Sequence, residues 1–157
     1  MPSELLLALY RGDTAAADEI LATNPELDVF EAAAAGRADR LRELLDADPT
    51  LVDAWAADGF QPLGLASFFG HVDAAKVLLE RGAEVNSASR NNFKVMPLHS
   101  AAATGDPDAR YEIVKLLLEH DADPNARQQD DFTPLMAADQ HGDTRLRELL
   151  VQHGATA

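Results

Sequence analysis

The sequence predicts an all-α fold, a solenoid of stacked helix-turn-helix units. Three observations predict it. Short alanine-rich stretches end on a glycine at a recurring interval, Gly12, Gly36, Gly70, Gly105 and Gly142, with spacings of 24, 34, 35 and 37. Each glycine is followed by a leucine-rich run at helical spacing, such as Val77-Leu78-Leu79 and Leu146 to Val151. Pro62, Pro97 and Pro134 each stand just ahead of a Leu and an Ala-rich turn. Self-similarity at such a period is the signature of a stacked array.

Each element has a local reason. Proline at the first helical position loses no useful hydrogen bond and has its φ preset. Alanine pairs let the first helix of a unit approach its neighbours closely. Glycine then ends that helix, because positive φ costs it little. The second helix carries the i, i+3, i+4 leucine stripe that faces the core. An extended stretch, Ala83-Glu84-Val85-Asn86 or Ala122-Asp123-Pro124-Asn125, leads to the next proline.

At this level the chain resembles the ankyrin-repeat family. Gly59-Phe60-Gln61-Pro62-Leu63-Gly64-Leu65-Ala66, Met96-Pro97-Leu98-His99-Ser100-Ala101-Ala102 and Phe132-Thr133-Pro134-Leu135-Met136-Ala137-Ala138 are similar to its proline-centred signature. Gly70-His71-Val72 through Leu78-Leu79-Glu80-Arg81-Gly82-Ala83-Glu84-Val85-Asn86 matches most of the remainder. The resemblance covers residues 27–154 well and 3–26 as a degenerate cap. It implies short β-hairpin-like loops between units and about four repeats, at 27–56, 57–89, 90–127 and 128–157, behind a cap helix pair at 3–26. It also suggests a small free-standing protein of bacterial type.

The departures carry expectations of their own. Asp48 to Asp53 lengthens the end of the first unit. The third unit has two insertions, Asn92–Met96 before Pro97 and Asp106–Tyr111 between its helices, both expected as surface loops. Asp121 and Asp131 occupy places where the family has glycine, which predicts modest backbone strain.

Composition narrows the function. The 157 residues hold 13 basic and 27 acidic side chains, a net charge of −14, which disfavours nucleic acid and anionic membranes as partners. Without cysteine there is no disulfide, zinc-thiolate site or cysteine nucleophile. The apolar start, broken by Glu4, Arg11 and Asp13, is not read as a signal peptide, and no run suits a membrane helix. A soluble, cytoplasmic protein is the expectation. No phosphate-binding loop, dinucleotide fingerprint, nucleophile elbow or zinc-protease motif occurs. No enzyme activity, cofactor or metal is expected. A metal site from His141 with Asp139 or Asp143 is open on spacing alone.

The resemblance implies that His99 and His71 are structural, His99 through a hydrogen bond across a repeat boundary. His120 and His153 lie near helix ends, where a cation suits the dipole. His141 stands in a partner-contact position. Two contact stripes follow from the same resemblance. The first-helix ends supply Ala34 and Ala35, Phe68 and Phe69, Ala103 and Thr104, and Gln140 and His141. The loop tips supply Trp55, Asp58 and Phe60, then Asn92, Phe93 and Lys94, then Gln129, Asp130 and Phe132. Aromatic side chains make strong interface anchors, though Phe60, Phe93 and Phe132 can equally brace their loops, and one of Phe68 and Phe69 can turn inward.

The expected function is therefore binding of a partner protein, as yet unidentified, with an apolar patch and a basic rim. A monomer is favoured over a homo-oligomer. A self-associating structural protein and an enzyme on this scaffold are the alternatives.

Overall fold

The computed structural model describes residues 2–156. Helices α1 (Glu4–Tyr10) and α2 (Thr14–Ala22) form the cap pair. Four further pairs follow: α3 (Val29–Ala34) with α4 (Ala38–Ala47), α5 (Pro62–Phe68) with α6 (Val72–Glu80), α7 (Pro97–Ala102) with α8 (Pro107–Glu119), and α9 (Pro134–His141) with α10 (Thr144–Gln152). The first helices stack in one row, α1 on α3 on α5 on α7 on α9. The second helices stack behind them, α4 on α6 on α8 on α10.

The residues explain the starts and stops. Pro62, Pro97, Pro107 and Pro134 each open a helix. At several starts a side chain takes an unpaired first-turn amide, though α4 and α6 begin without one. Asp13 Oδ1 accepts from Ala16 N at 3.0 Å, Asp28 and Glu31 close a reciprocal box, and Asp143 Oδ1 accepts from Leu146 N at 3.0 Å. Gly12, Gly36, Gly70 and Gly142 have positive φ, and the amide after each returns to the first helix, as His71 N does to Ala66 O at 2.9 Å.

The core lies between the two rows. Leu41, Leu45, Leu78, Ile113, Leu117, Leu146 and Leu150 of the second helices are fully buried against Leu63, Leu65 and Leu98 of the first. A leucine removed from water in this way contributes about 2 kcal/mol before chain entropy is charged against it. Ala32, Ala33, Ala66, Ala101, Ala102 and Ala138 have no exposed surface, which is what lets the first helices touch along their length.

Some expectations need correction. Gly105 does not take positive φ, unlike the other four glycines of the series. The insertion at Asp106–Tyr111 is not a loop. It lengthens α8 to 13 residues, against 9 in α6. Four residues make about one helical turn, so the leucine stripe stays in register through the insertion. The other insertion is a loop, folded on itself. Ser89 Oγ donates to Asn91 Oδ1 at 2.8 Å and accepts from Val95 N at 2.9 Å, and Ser89 N donates to Val95 O at 2.8 Å.

No β-strand is present among the described residues, so the connecting loops are hairpin-like only in outline. Ala56 N to Phe60 O and Gln128 N to Phe132 O close the other two. Bonds then join neighbouring loops, Arg90 N to Gly59 O at 2.8 Å and Asn91 Nδ2 to Asp58 O at 3.2 Å between the first two, and Gln129 N to Phe93 O at 2.9 Å between the next. Asp121 and Asp131 do take positive φ, 67° and 57°, as their glycine-like positions require.

Candidate partner-binding groove

The first-helix row and the loops bound a concave side. It holds an open cleft of about 230 Å³ lined by Tyr10, Phe60, Leu65, Phe68, Val95, Ala103 and Gln128, with Gly64, His99 and Ser100 completing it. Sequence-expected contact residues Phe60, Phe68 and Ala103 meet here. Phe68 is 45% exposed. Phe69 instead packs against the core, edge-on to Phe68 at 5.0 Å between centroids and 5.5 Å from Tyr10. Of the pair, Phe69 is the inward one.

Tyr10 is the residue that sequence reasoning missed. It stands two places before Gly12, the register that Phe68 holds before Gly70, so the repeat spacing did contain the signal. Its hydroxyl donates to Asp58 Oδ2 at 2.8 Å, joining the cap to the first loop tip. Burial pushes the phenol well above its usual range, and the bond to Asp58 and its charge add to this.

The loop residues divide. Phe93 is 59% exposed, and Asn92 and Lys94 beside it are also exposed, Lys94 with φ of 51°. Phe132 and Phe60 are half-buried and pack on the core, so they brace their loops. Trp55 is half-buried under the Arg90 guanidinium, 4.0 Å above the ring. Gln129 and Asp130 are exposed at the last tip, Asp130 with φ of 62°.

The helix-end stripe is less uniform than its register implies. Gln140 and His141 are exposed, but Thr104 is only 5% exposed and Ala34 is fully buried. Thr104 therefore offers no contact surface, contrary to its expected role. Its hydroxyl donates to Ser67 O at 2.7 Å, so it is spent on the unit before it.

That bond is one of a series. His71 Nε2 meets Ala34 O at 2.9 Å, over Gly36, where an added Cβ would lie 2.5 Å from the ring. Arg110 Nε donates to Thr104 O at 2.8 Å, and its Nη1 meets Asp143 Oδ2 of the next unit at 2.9 Å. Three helix-end carbonyls thus find a side-chain donor. At Gly105 the amide closure seen after the other glycines is not made, and a guanidinium from the extra turn of α8 instead holds the carbonyl just before it, that of Thr104. Burial raises the Asp143 carboxyl, but the Leu146 amide, then the Arg110 hydrogen bond and charge, and Arg145, bring it below its usual value.

The histidines are mostly committed. His99 Nδ1 accepts from Met96 N at 3.2 Å, which makes Nε2 the donor to Ala126 O at 2.8 Å. The bridge across a repeat boundary implied by the resemblance is present. Burial lowers the pKa of His99 and of His71, with carbonyl bonds offsetting part of the effect. His120 and His153 each bond a carbonyl one turn back. His141 Nδ1 lies 3.2 Å from Arg110 Nη2. Asp139 and Asp143 are engaged by Arg147 and Arg110, and no group of three metal-ligating side chains occurs among the described residues.

A family model described as ankyrin repeats (3 copies) matches residues 29–128 and 87–157. The ankyrin repeat, SAM and basic leucine zipper domain-containing protein 1 of Saimiri boliviensis boliviensis is 33% identical over 111 residues, 71% of this chain and 23% of its own length. Its counterpart in Dasypus novemcinctus is 30% identical over 137 residues, 87% and 28%. The serine/threonine-protein kinase VIK of Arabidopsis thaliana is 40% identical over 83 residues, 53% and 18%. The chain spans about a quarter of the length of the curated relatives it matches. These are animal and plant proteins, so they lend no support to a bacterial type. The paired helices, the proline starts, the His99 bridge and the family match agree: the chain belongs to the ankyrin-repeat family.

Proposed function

We propose that the chain binds a partner protein on its concave side and does so without catalysis. Ankyrin repeats are general protein-interaction modules. The observation that carries the proposal is the exposure of Phe68, in the cleft, and of Phe93, two residues before the lining Val95, large apolar side chains left in water. The contact surface comprises the exposed members of both stripes: Phe68 and Ala103 in the cleft, Asn92, Phe93, Lys94, Gln129 and Asp130 at the tips, and Gln140 and His141 beyond. The net charge of −14 favours a partner with an apolar patch and a basic rim. The same charge opposes pairing of two copies, which supports a monomer.

A non-catalytic role is supported by His99, the one imidazole in the cleft. Both its ring nitrogens are occupied by backbone groups, leaving none to act as a base. A cytoplasmic location is part of the proposal. It is compatible with the absence of any helix, among the described residues, long and apolar enough to cross a membrane.

Affinity capture with the wild-type chain and with Phe68→Ala/Phe93→Ala tests the surface. Loss of a captured protein in the double variant is expected, and equal capture by both would sink it. Light scattering tests self-association, with the mass of one chain expected at every concentration.

A further inference from the structure

We infer that the cleft takes a short linear segment of the partner, with one large apolar side chain seated against Phe68 and an Arg or Lys close to it in sequence that meets Asp58. The inference rests on the proposed groove and specifies its occupant.

Size comes first. At about 230 Å³ the cleft is below the roughly 300–1,000 Å³ of a pocket built for a cofactor or drug-sized ligand. It suits a single side chain, and Tyr10, Phe60, Leu65, Phe68 and Val95 give it apolar walls.

Charge comes second. Asp46, Asp108, Asp139 and Asp143 each hold an arginine of this chain. Asp58 is half-buried and holds none among the described residues. Its carboxylate accepts only from the Tyr10 hydroxyl and, at 3.4 Å, from Phe60 N, among the described residues. Two neutral donors leave each oxygen a lone pair and the charge uncompensated. A guanidinium or ammonium from outside completes it, and charge-assisted hydrogen bonds are the stronger kind. A second copy of this chain is a poor source, since it brings a further −14.

Spacing comes third. Tyr10 lines the cleft and its hydroxyl holds Asp58, so the carboxylate stands about one tyrosine side chain from the cleft. At roughly 3.3 Å per extended residue, the cation falls within about three residues of the apolar anchor. Lys94, one residue before the lining Val95, is exposed, and its charge opposes a cationic segment.

Selection of a random peptide library displayed on phage against the full chain tests this. The expected binders place Arg or Lys within three positions of a Leu, Met or aromatic residue. For a synthetic peptide so selected, Phe68→Ala should weaken binding at least about thirtyfold. Asp58→Asn should weaken it about tenfold and flatten its salt dependence, and Lys94→Glu should tighten it a few-fold. Peptides that need Phe68 but carry no nearby cation, and ignore Asp58→Asn and Lys94→Glu, overturn this inference and leave the groove standing. Peptides indifferent to Phe68→Ala overturn the groove itself. Should Asp58→Asn fail to fold, the Lys94→Glu arm and the salt dependence of the wild-type chain decide alone.

Discussion

Asp143→Asn isolates one charge at the last repeat junction. The Arg110 and Asp143 side chains are 5% and 11% exposed, and their ion pair spans 2.9 Å. Asn keeps an oxygen that can cap Leu146 N, so the helix start survives while the carboxylate charge is lost. Breaking a buried pair by removing one partner costs about 3–5 kcal/mol, because the other charge is stranded. Arg110 retains its bond to Thr104 O, which places the expected loss at the lower end, about 3 kcal/mol. Arg110→Met/Asp143→Asn removes both charges. It should cost about 1–2 kcal/mol, mainly for the Thr104 carbonyl left without its donor. Urea unfolding at neutral pH measures both variants, and hydrogen exchange should place the early opening in α9 and α10. The sign with pH is fixed by the lowered Asp143 pKa. Its stabilisation is complete above the ordinary aspartate range and fades as pH falls through the depressed folded value. The wild-type advantage should therefore persist in mild acid and close only below that range. A single variant within about 0.5 kcal/mol of wild type would refute this account of the junction.

Other positions give sharper contrasts. His71 and His99 have pKa values below the ordinary 6.5, so the unfolded chain binds protons first. Stability should be full above that value and decline as pH drops beneath it, and a urea midpoint unchanged between about pH 7.5 and 5 would contradict this. Phe68→Ala should leave the melting temperature nearly unchanged, while Phe69→Ala should cost about 1–2 kcal/mol through lost packing on the core and on Tyr10. Calorimetry separates the two, and equal losses would reverse the assignment of the inward ring. Ser67 Oγ is buried without a hydrogen-bond partner, where the matching Ala33 and Ala102 are equally buried. Ser67→Ala should stabilise by up to about 1 kcal/mol in denaturant titration, and a clear loss would point to an unseen partner for the hydroxyl.

The sequence carried the units because their signals are local. Pro62, Pro97 and Pro134 mark starts, glycines mark ends, and leucine stripes mark buried faces within a few residues of one another. The roles of His71 and His99 followed from the family resemblance. What stayed hidden depends on contacts between units. Thr104 looks like a surface residue until Ser67 O is seen above it, 37 positions earlier in the chain. Arg110 looks like part of a loop insertion until Asp143, 33 positions later, is placed beside it. Tyr10 was hidden differently. Its register before Gly12 matches Phe68, but the short spacing of 24 set the cap apart from the repeats when contact positions were assigned.

Three seams between successive repeats are joined by different side chains, an imidazole on Ala34 O, a hydroxyl on Ser67 O and the Arg110 guanidinium on the Asp143 carboxylate. These groups differ in size and reach, and they are not interchangeable. A unit moved to another place in the array would arrive with the wrong key for its neighbour. Unlike arrays of identical modules, this chain carries a serial order in its seams, and the cleft, lined from Tyr10 in the cap to Gln128 ahead of the last pair, is built across them.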